Sequence, residues 1–533
     1  MPANEHLYLK DSVRIEPLFN RWHAWVLMLP PVTAALNLLE RCMKIMQSYV
    51  NSPALHVAAV QNPAMRGGPF IDLGGGRIED MRRLMCEIQD RNQNLLGFAR
   101  AIKELHRLLA EKARGEALEP LYAEVPDLLR GYVELCYDLN HNPSFRVYES
   151  LLYRGGYYRE IESSQSFELA DEKTEKSRSF VLSTPRLRSR DSVSVNLPFS
   201  SRAMDAVFEM RSASGSYNAM RDRLGVDVEN EPLFKSFFTG EAPRPRGRFD
   251  GASFRIRYFG HACLLIESKD VSILIDPLIK YASNGTVPGY GFDDLPETID
   301  YMLITHSHHD HAVIESLLQL RPRVKTAVVG RNYDGFLHDP SLQLMLERLG
   351  FKNVIEIRDM QEIAIPGGAI VGIPFVGEHH DFLMQSRTGY LVRIGEHSAL
   401  VIADSCSVEP RFHEHLLASV GCPDILFLGM ECDGARPSWI YGPMFPKPLP
   451  REIDSSRRAR GCNFEEARAM VDTFKFKQVY VYAMGQEPWV SHILDNEFTE
   501  ESNSVVQSRK LVDYCRSRGI IADNLFGRRE IQP

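Results

Sequence analysis

The chain has 533 residues, of which 44% are hydrophobic and 25% charged, and its formal net charge is −8. These fractions are typical of a soluble globular protein, and the length exceeds what one ordinary hydrophobic core accommodates. The mild acidity argues against a duplex nucleic-acid binder, because such proteins carry a basic face. The nine cysteines form no C-x-x-C pair, and the polar start lacks a signal peptide's apolar run. The sequence therefore predicts a cytoplasmic protein with more than one domain, reduced cysteines and no nucleic-acid or membrane partner.

Residues 1–245 are predicted to form a helix-rich mixed α+β domain. Apolar residues recur at helical spacing in three stretches, Ala34–Tyr49, Arg77–Lys112 and Leu118–Tyr137. Residues 163–201 are rich in Ser, Arg, Glu and Lys with interleaved Val and Leu, which fits either edge strands or a solvated loop. Proline, glycine and arginine then crowd together over Gly240–Ser253, which marks a domain boundary.

Residues 253–533 have the alternation of an α/β fold. Short β-rich stretches such as Phe254–Tyr258, Tyr301–Thr305 and Val479–Tyr482 are separated by helical patterns such as Ala312–Leu320. Many short strands with interspersed helices predict two sheets whose outer faces are covered by helices.

A cluster of metal-ligand residues directly follows the apolar strand Tyr301–Thr305 in an H-x-H-x-D-H pattern. Ligands at a strand end have a rigid support and an open side for substrate. His306 and His308 can face one metal, while Asp310 and His311 can face a second. A histidine-rich surface loop is the alternative, but such a loop rarely stands between a buried strand and a helix. The pattern therefore predicts a dinuclear metal site.

This pattern resembles the second motif of the metallo-β-lactamase superfamily, and other landmarks of that family follow in order. Tyr258–Glu267 is similar to the opening strand pair, and Asp276 resembles the aspartate that supports the site without binding metal. Asp404 resembles the aspartate that bridges the two metals. The resemblance covers about residues 253–500 and implies an αββα metallo-β-lactamase sandwich after the helix-rich domain. His261, at the start of the second strand, is expected to have a supporting role.

The third motif departs from the superfamily pattern. Most superfamily hydrolases place a histidine after a glycine, whereas this chain reads Gly377-Glu378-His379-His380-Asp381. In simple register Glu378 takes the ligand position, and a shift of one residue would restore His379 instead. A carboxylate there makes the site harder and more anionic, which favours iron or manganese over zinc.

This departure, the chain length and the long N-terminal domain resemble the diiron β-hydroxylases of non-ribosomal peptide biosynthesis. The resemblance implies two carboxylate-bridged iron ions, dioxygen as co-substrate, and electrons from an external reductase or ferredoxin. It also implies an aminoacyl thioester on a carrier domain as substrate, and a homodimer whose N-terminal domain shapes the substrate entrance. The implied metal ligands are His306, His308, Asp310, His311, Glu378, Asp404 and a late histidine, for which His492 is available.

Glu431 opens a loop, Glu431–Pro450, that is rich in proline, glycine and aromatic residues and follows an apolar strand. Such a loop fits either the wall of a substrate tunnel or an ordinary long connection. Glu431 is predicted to act in catalysis together with Glu378 and Asp404. The arginine-rich stretch Arg451–Arg460 fits either a docking surface for an acidic carrier protein or a solvated charged run.

Two other enzyme classes compete with an oxygenase. A dinuclear zinc hydrolase acting on a phosphodiester, lactone or thioester would use the same ligands to activate a water. A flavodiiron-type reductase fits less well, because those proteins resemble H-x-E-x-D-H and this chain has His308. A non-catalytic module fits poorly, because degenerate copies lose ligands. Aromatic and aliphatic aminoacyl groups stay equally open as substrates.

Overall fold

The structure, a computed structural model, describes residues 5–175, 178–244, 247–251, 253–333 and 335–533. Within these ranges a helix-rich N-terminal part precedes two large β-sheets. None of the helices in these ranges has the length and hydropathy needed to cross a membrane.

The N-terminal part surrounds a four-stranded sheet in the order β3-β2-β6-β7. Its helices are α1 (Pro31–Asn37), α2 (Met43–Asn51), α3 (Pro53–Val60), α4 (Ile78–Arg91), α5 (Gln93–Lys112), α6 (Glu149–Leu152), α7 (Gly156–Ser163), α8 (Arg202–Glu209), α9 (Tyr217–Leu224) and α10 (Glu231–Ser236). Its strands are β1 (His6–Leu9), β2 (Val13–Phe19), β3 (Trp22–His23), β4 (Val133–Tyr137), β5 (Pro143–Val147), β6 (Gln165–Asp171), β7 (Ser192–Val195), β8 (Gly215–Ser216) and β9 (Phe238–Thr239).

The helical predictions for this part are confirmed in two stretches and wrong in the third. A π-helical turn, Leu38–Cys42, joins α1 to α2, and the long second stretch divides into α4 and α5 at Asn92. The third stretch forms short 3₁₀ turns and strand β4 instead of a helix, because Pro120 and Pro126 cannot donate the hydrogen bonds of a helix interior. Residues 163–201 form β6 and the edge strand β7 with a connection between them.

The C-terminal part is built on two seven-stranded sheets, ordered β15-β14-β13-β12-β11-β10-β23 and β16-β17-β18-β19-β20-β21-β22. The strands are β10 (Arg255–Gly260), β11 (Cys263–Glu267), β12 (Ser272–Ile275), β13 (Ile299–Ile304), β14 (Val324–Gly330), β15 (Val354–Ile357), β16 (Glu362–Ile365), β17 (Gly368–Ile373), β18 (Gly389–Ile394), β19 (His397–Val401), β20 (Ile425–Gly429), β21 (Gln478–Tyr482), β22 (Ile521–Asn524) and β23 (Arg529–Ile531). The helices are α11 (Ile314–Leu320), α12 (Leu342–Arg348), α13 (Pro410–Val420), α14 (Pro437–Tyr441), α15 (Arg451–Ser456), α16 (Phe464–Phe474), α17 (Ser491–Leu494) and α18 (Asn503–Ser517).

These elements form four layers, and clusters of buried apolar side chains fill the spaces between the layers. Leu303 of the first sheet and Phe427 of the second belong to one buried cluster between the sheets. On the outer face of the second sheet, Met470 of α16 packs in a cluster with Leu426. On the outer face of the first sheet, Leu317 of α11 belongs to the large core of the N-terminal part. The predicted αββα sandwich with a helix-rich N-terminal domain is confirmed.

Buried charges also connect the N-terminal part to α11. Glu16 on β2 is fully buried and accepts hydrogen bonds at 2.9 Å from both His23 Nδ1 and Arg186 Nε. Arg178 Nη2 lies 3.1 Å from Glu16 Oε1 and 2.6 Å from Glu315 Oε2 on α11. Removing one partner of such a buried pair costs roughly 3–5 kcal/mol, because it leaves an uncompensated charge. This network fixes the helix that begins three residues after His311.

Candidate metal centre

The predicted ligand residues other than His492 follow the carboxyl ends of strands that meet at one edge of the sandwich. His306 to His311 follow β13, and Asp276 follows the parallel neighbour β12. In the second sheet, Glu378 follows β17 and Asp404 follows β19. Because strand ends are held by the sheets, they place these side chains with little freedom.

A first group of ligand atoms comes from His306, His308, Glu378 and His379, all within 4.8 Å of one another. Glu378 Oε1 lies 2.7 Å from His308 Nδ1, and its other oxygen contacts His379. Burial raises the pKa of Glu378, but the neighbouring His308 and His379 outweigh it and hold that pKa well below its usual range. The carboxylate is therefore ionised and can act as a ligand. Both residues left open by the sequence, Glu378 and His379, lie in this group.

A second group comes from His261, Asp310 and His311, and Asp404 stands between the two groups. Asp404 Oδ2 lies 3.0 Å from His311 Nε2 and 3.9 Å from His306 Nε2. One carboxylate thus reaches an imidazole of each group, which is the position that a bridging ligand requires.

Supporting hydrogen bonds fix the orientation of the imidazoles. Asp276 accepts from His311 Nδ1 at 2.8 Å and from the Thr305 backbone N–H at 2.8 Å. This directs His311 Nε2 towards Asp404. The Tyr441 hydroxyl lies 3.5 Å from His308 Nε2, on the side of the ring opposite Glu378. Ligand histidines characteristically use their second nitrogen in this way, which fixes the tautomer.

The side chains at this edge fit metal ions. His306 Nε2 and Asp404 Oδ1 are buried and have no hydrogen-bond partner in the described part of the chain, although buried polar atoms normally have one. Burial, together with the neighbouring His311, holds the pKa of His306 well below its usual range, so this imidazole is in the neutral form that binds metals. Imidazole and carboxylate donors together suit iron.

His492 does not join this centre, which corrects the prediction that it is a metal ligand. Its side chain is buried and lies outside every group of ligand atoms found among the described residues. It lines a separate small cavity with Arg178, and its backbone carbonyl accepts a hydrogen bond from Val181. The physical reason is that the short helix α17 turns His492 towards the N-terminal part.

His261 lies at the metal centre, beside Asp310 and His311. Its Nε2 lies 3.0 Å from Asp310 Oδ2, and its ring is fully buried near that of His311. Gly260 (φ 108°) and His261 (φ 50°) both have left-handed backbone conformations, which turn the chain between β10 and β11 into the site. The supporting role expected for His261 from the sequence fits its hydrogen bond with Asp310.

A cavity of about 960 Å³ leads to the metal centre and is lined by both parts of the chain. The loop after β20 contributes Glu431, Trp439 and Phe445, while Phe70 and Phe180 come from the N-terminal part. The loop is thus a wall of this cavity, as one of its two interpretations predicted. The Ser504 hydroxyl donates to Glu431 Oε1 at 3.1 Å, and burial raises the pKa of Glu431 to about 7.

Comparison with known proteins separates the enzyme classes that share this fold. Residues 8–243 match a family model described as the diiron non-heme beta-hydroxylase N-terminal domain, and residues 255–391 match a beta-lactamase superfamily domain. The chain is 36% identical over 533 residues to a 4-amino-L-phenylalanyl-[CmlP-peptidyl-carrier-protein] 3-hydroxylase of Streptomyces venezuelae, covering 98% of this chain and 99% of the relative. The chain belongs to the diiron non-heme β-hydroxylases.

Solved structures agree with this family membership. The crystal structure of CmlA, a diiron β-hydroxylase from Streptomyces venezuelae, superposes on this β-hydroxylase with a TM-score of 0.92 and 34% identity, covering 100% of both chains. A UPF0173 protein of Pyrococcus abyssi is 34% identical over 152 residues, which is 28% of this chain and 60% of that protein. The chain is therefore an enzyme of the hydroxylase class with iron as its family's metal, and the zinc-hydrolase alternative is not supported.

We expect Tyr441→Phe to weaken iron binding by about tenfold, because the loss of a hydrogen bond to a ligand histidine has that order of effect. Competition with a chromophoric iron chelator measures the change. Tyr49→Phe is the matched control, since Tyr49 is equally buried and donates to the Gly76 carbonyl at 2.7 Å, away from the metal centre. Equal iron affinity of the Tyr441 variant and the unchanged enzyme would contradict the supporting role.

Proposed function

We propose that this β-hydroxylase uses two iron ions and dioxygen to hydroxylate the β-carbon of an aminoacyl group held as a thioester on a peptidyl carrier protein. The position of Asp404 between two groups of ligand atoms, at the end of a large cavity, carries the proposal. The full-length relationship to a hydroxylase whose name specifies a carrier-protein-bound substrate supports the substrate class.

The proposed ligand set has three imidazoles and three carboxylates. His306, His308 and Glu378 would hold one iron, Asp310 and His311 would hold the other, and Asp404 would be a ligand shared by both. His261 supports Asp310 through their hydrogen bond at 3.0 Å, and His379 packs beside His308, with ring centroids 4.5 Å apart. Bound iron supplies the activation of dioxygen, with electrons from an external reductase or ferredoxin.

The side chains of the cavity have three tasks in this proposal. The carboxylates of Glu378, Asp310 and Asp404 balance the charge of the metals. Trp439 and the other apolar residues of the wall exclude water around the aminoacyl group. Glu431 can hold or release a proton at its carboxyl group, because burial raises the pKa of Glu431 to about 7, close to neutral pH. A homodimer, with the N-terminal part shaping the entrance, remains part of the proposal.

The test is a reconstitution of the iron-loaded enzyme with ferredoxin, ferredoxin reductase, dioxygen and an aminoacyl-carrier protein. The first substrate is the 4-amino-L-phenylalanyl thioester, followed by a panel that includes phenylalanyl and leucyl thioesters. We expect one of them to gain a single oxygen atom by mass spectrometry, with loss of that product under nitrogen. The zinc-loaded enzyme is the control and should not hydroxylate. Thioester hydrolysis by the zinc form, with no oxygen-dependent product from the iron form, would disprove the proposal.

A further inference from the structure

Three guanidinium groups in the wall of the cavity have no carboxylate partner among the described residues: Arg41, Arg436 and Arg458. They differ in this respect from the other cations of the wall. Each of the other cations forms a salt bridge: Lys44 and Lys103 with Glu40, Arg66 with Glu497, and Arg460 with Glu466. Partly buried charges are normally paired, because removing a charge from water is costly.

Arg41 lies on the π-helical turn Leu38–Cys42, a rare element that often occurs at functional sites. Neutral acceptors hold its side chain: Nε donates to Asn37 Oδ1 at 3.1 Å, and Nη2 donates to the Ile440 carbonyl at 3.0 Å. These bonds orient the guanidinium but leave its charge uncompensated, and burial lowers the pKa of Arg41 to about 10. Its Nη1 makes no hydrogen bond to a described residue and is available to a ligand.

Arg436 and Arg458 lie on two neighbouring segments. The Ala459 N–H donates to the Ala435 carbonyl at 3.0 Å, and Arg458 Nη1 donates to the Gly434 carbonyl at 3.1 Å. Arg436 makes no hydrogen bond or ion pair with any residue that the structure describes. The Asp454 carboxylate, also in the wall, accepts hydrogen bonds from the Ser438 N–H at 3.0 Å and from the Ser438 hydroxyl at 2.7 Å.

Arg41, Arg436 and Arg458 are all partly exposed, and solvent-exposed residues of the same cavity wall flank Arg41 and Arg436. Arg41 is three residues before Lys44, so the two side chains lie on one helical face, and the Lys44 side chain is 65% exposed. Ser438, two residues after Arg436, is also exposed. The carboxylates of the metal centre lie in the same cavity. A ligand with an anionic group at one end and the reacting carbon at the other matches this distribution of charge.

We propose that Arg41, Arg436 and Arg458 bind the phosphodiester of the phosphopantetheine arm that carries the aminoacyl group. This inference rests on the proposed carrier-bound substrate. The arm is joined to a carrier serine through the phosphodiester and ends in the thioester. Binding the phosphodiester at these arginines therefore determines how far the aminoacyl group reaches towards Asp404. Guanidinium groups suit this task, because their planar donors match phosphate oxygens in pairs.

The arginines of the stretch Arg451–Arg460 differ in their contacts. Arg457 packs over the Phe382 ring, 4.5 Å from its centroid, and donates to the His380 carbonyl at 2.6 Å. Arg460 is paired with Glu466. Arg451 is exposed and lies outside the cavity wall. Arg458 is the member of this stretch that lines the cavity with an unpaired charge.

The test compares two small molecules, 4′-phosphopantetheine and pantetheine, which differ only in the phosphate. Calorimetry on the full-length, iron-loaded enzyme at low salt is expected to show about tenfold tighter binding of 4′-phosphopantetheine, the order that a charge-assisted hydrogen bond provides. Arg436→Gln and Arg458→Gln should each reduce the preference, and the double variant should reduce it further, to the part that Arg41 provides. Arg451→Gln, from the same stretch, should retain the full preference.

Equal affinity of the unchanged enzyme for both molecules, or no detectable binding of 4′-phosphopantetheine, would overturn the phosphodiester subsite. A full preference in the double variant, or an equal loss in Arg451→Gln, would overturn it as well. Hydroxylation of aminoacyl-carrier protein is measured on the same preparations. Hydroxylation without a phosphate preference removes only the subsite, whereas a phosphate preference without hydroxylation of any carrier-bound substrate removes the proposed function.

Discussion

The substitution Glu378→His is expected to lower oxygen-dependent hydroxylation by about 100-fold or more. Changes to groups that merely support a metal ligand already cost about 10–100-fold, and Glu378 is proposed to bind iron directly. A neutral imidazole in place of this ionised carboxylate removes a negative charge and favours zinc over iron. Elemental analysis should therefore show a higher zinc-to-iron ratio in the variant, and turnover of aminoacyl-carrier protein measures the loss.

Two controls isolate the effect of the carboxylate. Glu362→His introduces the same residue at a Glu whose side chain is 58% exposed on β16, and it should leave iron content and turnover unchanged. His379→Ala tests the other register of the third motif. If His379 were the ligand instead, its removal would reduce iron content more than Glu378→His does. Unchanged hydroxylation by Glu378→His would show that the carboxylate does not tune the centre.

Asp404→Asn is expected to lower the iron content from about two ions per chain towards one and to reduce hydroxylation by at least about 100-fold. Asparagine keeps the size of the side chain but offers one neutral oxygen, which cannot bridge two cations. Size matters here, because a Cβ on Gly429 would meet Asp404 Oδ1 at 2.3 Å, so the carboxylate is packed against the β20 backbone. Iron analysis and Mössbauer spectroscopy of the isolated variant measure the stoichiometry.

Asp424→Asn is the matched control for this second variant. The Asp424 carboxylate also supports backbone, accepting from the Ser398 N–H at 2.9 Å and lying 2.6 Å from Lys477 Nζ, but it is not among the ligand groups found in the described residues. The Asp424→Asn protein should lose some folding stability and keep its full complement of iron. An Asp404→Asn protein that retains two coupled irons would contradict the bridging role.

The sequence predicted those parts of the centre that depend on local order. The H-x-H-x-D-H residues follow a strand whose burial is evident from its composition, so their convergence required only that the strand form. Glu378 and Asp404 were assigned by family resemblance, and the structure brings them to the same edge. The positions of His492 and His261 depended instead on the path of the chain after β21 and on the left-handed turn at Gly260. Neither is encoded by spacing along the sequence.

The same distinction applies to the fold. Periodicity predicted α4 and α5 but failed for residues 118–137, where the prolines outweighed an apolar pattern of helical spacing. The cavity could not be predicted, because its wall combines α2, the segment around Phe180 and the loop after β20. Such contacts between distant segments leave no periodic signal. The unpaired arginines became recognisable only once their neighbours were known.

The buried network of Glu16, Arg178 and Glu315 has a consequence for how these enzymes can diverge. A recombination that joined the N-terminal part of one relative to the catalytic part of another would have to inherit both sides of this network together. A mismatch would leave a carboxylate or guanidinium buried without its counterion, at roughly 3–5 kcal/mol. That is a large fraction of the roughly 5–15 kcal/mol by which folded domains are stable. The two parts are therefore expected to be inherited as a pair, and substrate preference to change by substitution within the cavity rather than by exchange of domains.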